Sequence, residues 1–205
     1  MMISQANNNE NVHSSGLEDR NLVESFRSGD DESFAILVRK HTGSVYAFLY
    51  RIVQDQSAAE DLAQVTFMKA WKSLDRFDET KPFRTWLFAI AKNNAYDWLK
   101  KKRPLPFAAF DFSDDQEEPF ADLASEELLP DAILHRADAA HVLEDVLDKL
   151  PEKYRALITL VYQEDFSLHE AADILGESYN TVKSRHQRAI QRLRSSLLPN
   201  ASKIG

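Results

Sequence analysis

Apolar positions recur along this chain at helical spacing nearly from end to end, and that periodicity predicts an all-α fold. Leu22 and Phe26 mark a short amphipathic helix. After Gly29–Asp31 a second helix opens with Phe34, Leu37 and Val38 and continues through Val45, Leu49 and Ile52. Ser57 reads as an N-cap, with Glu60 completing a capping box, for a helix carrying Leu62, Val65, Phe67, Ala70, Trp71 and Leu74. Pro82 interrupts the pattern. Thr85, Trp86, Leu87, Ile90 and Ala91 begin another helix, which runs to Leu99 and closes on the cations Lys100–Arg103 before Pro104. Later, Leu143, Val146, Leu147 and Leu150 stop at Pro151, and Tyr154, Leu157, Ile158 and Val161 form the next set. Ser167 and Glu170 make a second capping box before Ala171, Ala172 and Leu175. Gly176 supplies a turn, Ser178 an N-cap, and Val182, Ala189, Ile190, Leu193 and Leu197 the buried stripe of a last helix. No convincing alternating strand pair interrupts this reading.

Composition divides the helices into two small domains. Residues 1–16 are polar and read as a disordered tail without the apolar core of a secretory signal. Residues 17–103 are helical and rich in aromatics. Residues 104–135 carry nine acidic residues, four prolines and no Lys or Arg, the signature of an acidic flexible linker. Residues 136–198 are helical again and turn basic towards the end, with 199–205 as a short tail. The net charge of -8 suggests no nucleic-acid partner by itself. The absence of cysteine excludes disulfides and thiolate metal sites. No apolar run is long enough to span a bilayer, so the protein is expected in the cytoplasm.

The candidate chemistry lies in two basic segments. A capped helix, a glycine turn and a second helix with an apolar stripe form the layout of a helix-turn-helix, whose second helix enters the major groove. On that helix Lys183, Arg185 and Arg188 can bond guanine edges or phosphates, Gln187 can bond adenine, and Thr181 and Ser184 can hold phosphates. The second segment, Lys81–Arg103, holds seven cations and one acid, with Phe83, Trp86, Phe88, Tyr96 and Trp98 interleaved. Cations bind phosphates and rings stack on unpaired bases. Core packing accounts for most of these rings, but leaves Arg84, Asn93, Asn94 and the terminal cations without a packing role.

The segments AAEDLAQVTFMKAW (58–71) and PFRTWLFAIAKNNAYDW (82–98) resemble region 2 of the extracytoplasmic-function (ECF, group 4) sigma factors of the sigma-70 family. Residues 148–194 resemble their region 4. The resemblance implies a non-enzymatic protein that needs no cofactor or metal. It would bind core RNA polymerase at the β′ clamp helices and the β flap, and direct it to promoter DNA. Polymerase contacts would fall on Glu60, Asp61, Gln64, Val65, Phe67 and neighbouring Lys69. The melted −10 element would be read by Asn93 and the Arg76–Phe83 loop, which forms a pocket for a flipped base, with Arg76, Phe83, Arg84, Lys100 and Lys101 the residues around it. The −35 duplex would meet Thr181, Lys183, Ser184, Arg185, Gln187 and Arg188, with Gln187 and His186 bearing on which sequence is read. The linker would thread the polymerase cleft. An anti-sigma factor is the expected inhibitor, and no small-molecule substrate is implied. The apolar docking faces imply that the two domains clasp each other, or an inhibitor, when inactive.

A stand-alone helix-turn-helix regulator needs only residues 136–198 and leaves 58–98 unexplained. An enzyme is disfavoured because the six histidines are scattered, with no metal-ligand spacing or phosphate-cradling glycine loop. His169, beside the second cap, reads as exposed rather than catalytic.

Overall fold

The computed structural model describes residues 16–102 and 147–197. The expectations for the acidic linker, for Leu143 and Val146, and for the chain ends lie outside the described residues. Among the described residues the fold is all-α, with seven helices, as the periodicity predicts. They are α1 (16–27), α2 (Asp31–Val53), α3 (Gln56–Ser73), α4 (Phe83–Lys102), α5 (Glu152–Ile158), α6 (Leu168–Leu175) and α7 (Tyr179–Leu197). A 3-10 turn, Leu74–Arg76, follows α3, and a π-helical turn, Thr159–Gln163, prolongs α5.

Local chemistry explains most boundaries. Gly29 takes φ +99°, a left-handed conformation that side chains resist, and lets α1 reverse into α2. Asp30 then caps α2 by accepting from the Glu32 amide. The cap of α3 is not Ser57 as expected but Asp55, whose carboxylate accepts from the Ala58 amide at 3.1 Å. Asp55 also receives the Lys102 ammonium at 2.9 Å, so one carboxylate ties the start of α3 to the end of α4. Glu60 accepts instead from the Gln56 side chain. The capping box at Ser167 and Glu170 is present as expected.

α1 is fastened by polar bonds as well as by Val23. Its buried Asp19 meets His41 at 2.9 Å and Lys40 at 2.8 Å, both on α2. Burial pushes the Asp19 carboxyl up, but the His41 and Lys40 hydrogen bonds and charges outweigh it and hold the carboxyl below its usual range. Arg27 donates to the Leu74 and Phe77 carbonyls at 3.0 and 2.6 Å and pairs with Glu79, bracing the turn after α3.

The core of α1–α4 is built on Leu37, Phe48, Leu49, Leu62, Leu74, Leu87 and Phe88. It runs without a break into Leu157, Leu160, Phe166, Ala171 and Leu175 of the second unit. A smaller cluster, Leu147, Leu150, Tyr154, Ile158, Ala189, Ile190 and Leu193, packs α7 against α5. The two halves are therefore closed against each other, with α6 lying on α4.

Candidate nucleic-acid and partner interface

α6, Gly176 and α7 form the helix-turn-helix. Gly176 closes α6 at φ +72°, where a side chain would be strained. The Ser178 hydroxyl accepts from the Thr181 amide at 3.1 Å and caps α7. Val182, Ala189, Ile190 and Leu193 are buried as expected. On the other side Asn180 and Gln187 are exposed, and Thr181, Lys183, Ser184 and Arg188 are half-buried. The Ser184 hydroxyl donates to the Thr181 carbonyl at 3.0 Å.

Two residues leave this set. The Arg185 side chain is 0% exposed and pairs with Glu177 at 2.6 Å, so it is an internal cation and not a DNA contact. It follows Val182 by three residues and precedes Ala189 by four, which puts it on the buried stripe. His186 is also buried. Its Nε2 lies 3.1 Å from the Tyr162 hydroxyl, the two rings are stacked, and burial pushes the imidazole pKa down. It cannot read a base edge. Glu177, the counter-ion that sequence reasoning missed, had a signal in a cation placed at an apolar phase.

On α4, Phe83 is 4% exposed, with its ring centroid 5.6–5.9 Å from those of His41, Phe77 and Trp86. It belongs to the core and does not line a base pocket. Of the paired asparagines, Asn93 is exposed, with no hydrogen bond from its side chain to any described residue. Asn94 does have a packing role: it is buried, donates to the Thr66 hydroxyl at 2.9 Å and accepts from Lys69. That bond ties the Lys69 ammonium to α4, while the residue itself stays exposed. Arg76, Lys100 and Lys101 are exposed, while Lys102 is held by Asp55 over the Trp98 ring.

Arg84 also has a structural role. It donates to the carbonyl and the carboxylate of Glu164, each at 2.6 Å, and lies over the Phe166 ring at 4.2 Å. Two turns along the same face, Lys92 donates to the Leu175 carbonyl at 3.1 Å. Between them the Phe88 ring meets Phe166 edge-on at 5.0 Å. Burial pushes the Glu164 carboxyl up against the pull of Arg84, and pushes the Lys92 amine down. One face of α4 is thus covered by the second unit.

The outer face of α3 is uncovered among the described residues. Glu60, Asp61 and Gln64 are exposed, together with Val65, Met68 and Trp71 at 39, 57 and 42%. These positions alternate with the buried row Leu62, Ala63, Thr66, Phe67 and Ala70. Phe67, expected on the surface, is 8% exposed and packs inward, although its edge floors a groove of about 360 Å3 bordered by Phe34, Gln64, Met68, Trp71 and Lys72. Trp71 stands edge-on against Phe26 and Phe34 at 4.7 and 5.0 Å, which fixes its ring. Met68 was missed in the sequence; the signal was an apolar residue opposite an already complete apolar row. Among the described residues, no group of His, Asp and Glu is placed to hold a metal ion.

Residues 37–104 match the family model of sigma-70 region 2, and residues 140–193 that of sigma-70 region 4. The chain is 30% identical over 176 residues to the ECF RNA polymerase sigma factor SigW of Bacillus subtilis, covering 85% of this chain and 94% of the relative. It is 30% identical over 183 residues to the RNA polymerase sigma-H factor of Pseudomonas aeruginosa, covering 89 and 95%. Among solved structures it resembles CnrH in complex with the cytosolic domain of CnrY, with TM-score 0.63, 28% identity and coverage of 90 and 99%. It also resembles the sigma factor RpoE in complex with the anti-sigma factor NepR from Bartonella quintana, with TM-score 0.61, 26% identity and coverage of 82 and 99%.

Proposed function

The chain belongs to the ECF RNA polymerase sigma factors, and from that premise we propose how its surfaces divide the work of binding polymerase and reading a promoter. As a sigma factor it binds core RNA polymerase and directs promoter-specific initiation. Sigma factors are in general DNA-binding regulators rather than catalysts, and this chain acts through binding alone. Its work lies where the polymerase is, in the cytoplasm. Among the described residues no helix is long and apolar enough to cross a membrane.

The observation that carries the reading is the uncovered face of α3, where Val65, Met68 and Trp71 stand among Asp61 and Gln64. Apolar side chains clustered outside a complete core mark an interaction surface. That face meets the polymerase clamp. Lys183, Gln187 and Arg188, helped by Thr181 and Ser184, read the −35 duplex, while Asn93, Arg76, Lys100 and Lys101 meet the melted −10 strand. Arg84 joins them only when Glu164 releases it. The closed packing of α4 on α6 supports the expectation that the halves clasp each other when inactive. Two of the solved relatives were captured with a second protein, one of them a named anti-sigma factor, and an anti-sigma factor is the partner that would hold this chain closed. A stand-alone regulator is not favoured, because it gives α3 and Asn93 no task.

Two substitutions test the division of labour. Arg188→Ala is expected to weaken −35 recognition by about 1–3 kcal/mol, measured as promoter binding by reconstituted holoenzyme. Unchanged binding would remove α7 from the groove. Asn93→Ala is expected to slow open-complex formation, read with a fluorescent base in the −10 element, while core-polymerase affinity stays the same. Loss of core binding instead would make Asn93 structural.

A further inference from the structure

Two stacked His–Tyr pairs involve the helix-turn-helix, one of them reaching back to the π-helical turn, and they are used differently. Tyr162 and His186 are joined by a hydrogen bond inside the fold. His169 and Tyr179 lie closer, with ring centroids 4.1 Å apart and planes within 16°. His169 is exposed, and neither its nitrogens nor the Tyr179 hydroxyl bonds any described residue. The second pair is a rigid polar surface with unspent hydrogen-bonding capacity.

We propose that His169, held flat on the Tyr179 ring, is a further promoter contact, its imidazole donating a hydrogen bond to a backbone phosphate beside the groove that α7 enters. This rests on the reading of α7 as the −35 helix. Tyr179, Lys183 and Gln187 follow one another at four-residue steps and form one row along α7. His169 extends that row from the first turn of α7 onto the first turn of α6. In a helix-turn-helix the second helix lies in the groove while the first crosses the backbone. A side chain at that point therefore meets phosphate rather than a base edge.

The chemistry suits the site. Imidazole has an N–H donor in either neutral tautomer, so the bond needs no change of charge. The Tyr179 ring fixes the imidazole plane before DNA arrives, which lowers the ordering cost of the contact. The neighbouring carboxylates leave it open. Glu170 is occupied by the Ser167 amide and hydroxyl at 2.9 and 2.7 Å, and Asp173 lies one turn further along α6.

The test uses holoenzyme made from the full chain and core polymerase, with promoter duplexes carrying one uncharged methylphosphonate linkage at successive positions around the −35 element. On unmodified DNA, His169→Ala is expected to bind about tenfold more weakly, as for a hydrogen bond to a charged group. On one modified duplex the native protein should show the same loss, and His169→Ala no further loss. Tyr179→Phe, which keeps the ring, should retain this coupling, and Tyr179→Ala should lose it. Equal loss on every duplex, or no loss on unmodified DNA, overturns the proposal. Lys183→Ala separates the premises. If it weakens binding while His169→Ala does not, only the His169 contact fails. If both are silent, the assignment of α7 fails with it.

Discussion

Met68→Glu is expected to weaken binding to core RNA polymerase by about 2 kcal/mol or more, roughly a thirtyfold loss, with thermal stability unchanged. The two halves of this expectation come from one fact. Met68 is 57% exposed and stands outside the buried row of α3, so a carboxylate there remains in water in the free protein. Surface changes of that kind are close to neutral for folding. On a partner that covers the α3 face, the same carboxylate would be buried beside Trp71 and Gln64, with Lys72 on the groove border the nearest cation, and stripping a charge of water is costly even where a cation can approach it. Met68 is a cleaner probe than Trp71, whose ring is wedged against Phe26 and Phe34 and whose loss would disturb the fold. Competition of labelled native protein from core polymerase by the variant gives the affinity. Native-like binding by Met68→Glu would move the clamp contact off this face.

Glu177→Gln is expected to cost about 3–5 kcal/mol of folding stability, the range for removing one partner of a buried ion pair. Arg185 is the largest fully buried side chain among the described residues, and Glu177 holds it from the turn before α7. Neutralising Glu177 leaves a guanidinium in the core with nothing to balance it. The pair itself contributes much less than this loss, because both groups were stripped of water to make it. The double variant Glu177→Gln with Arg185→Met is therefore expected to recover most of the loss, since an apolar side chain of similar reach removes the orphan charge. Thermal or urea unfolding of all three proteins decides the matter. A loss under about 1 kcal/mol for Glu177→Gln would mean that the guanidinium reaches solvent, and would return Arg185 to the groove-reading set.

The sequence carried the helix-turn-helix well because its determinants are local. Ser167, Glu170, Gly176 and Ser178 each act within four residues of their partners. The surfaces were less legible. Arg185 and Phe83 were assigned by what their side chains can do, a cation for DNA and a ring for a base. Their helical phase already placed them with Val182 and Leu87, and phase prevailed because packing outweighs polarity of type. Asn93 and Asn94 are adjacent and chemically identical; phase puts Asn94 with Leu87 and Ala91, and Thr66 and Lys69 on a neighbouring helix give it partners there. Arg84 could not be read at all from its neighbours, since Glu164 lies 80 residues away. The misplaced cap at Ser57 has a similar origin. Asp55 is as good a capping residue, and Lys102 gives it a second bond from the far end of α4.

In the proposed closed state, the grip of Glu164 on Arg84 would set a toll on an encounter with a promoter. A molecule would have to surrender two bonds to Glu164, and the Lys92 bond that closes the same face, before Arg84 is available. A ligand of the parted form sees only the fraction of molecules that are parted, and its apparent dissociation constant rises in inverse proportion. On that reading, raising the cellular amount of this protein would fill stray genomic sites poorly, whereas a scaffold that props the halves apart would release the latent affinity at the place where transcription starts.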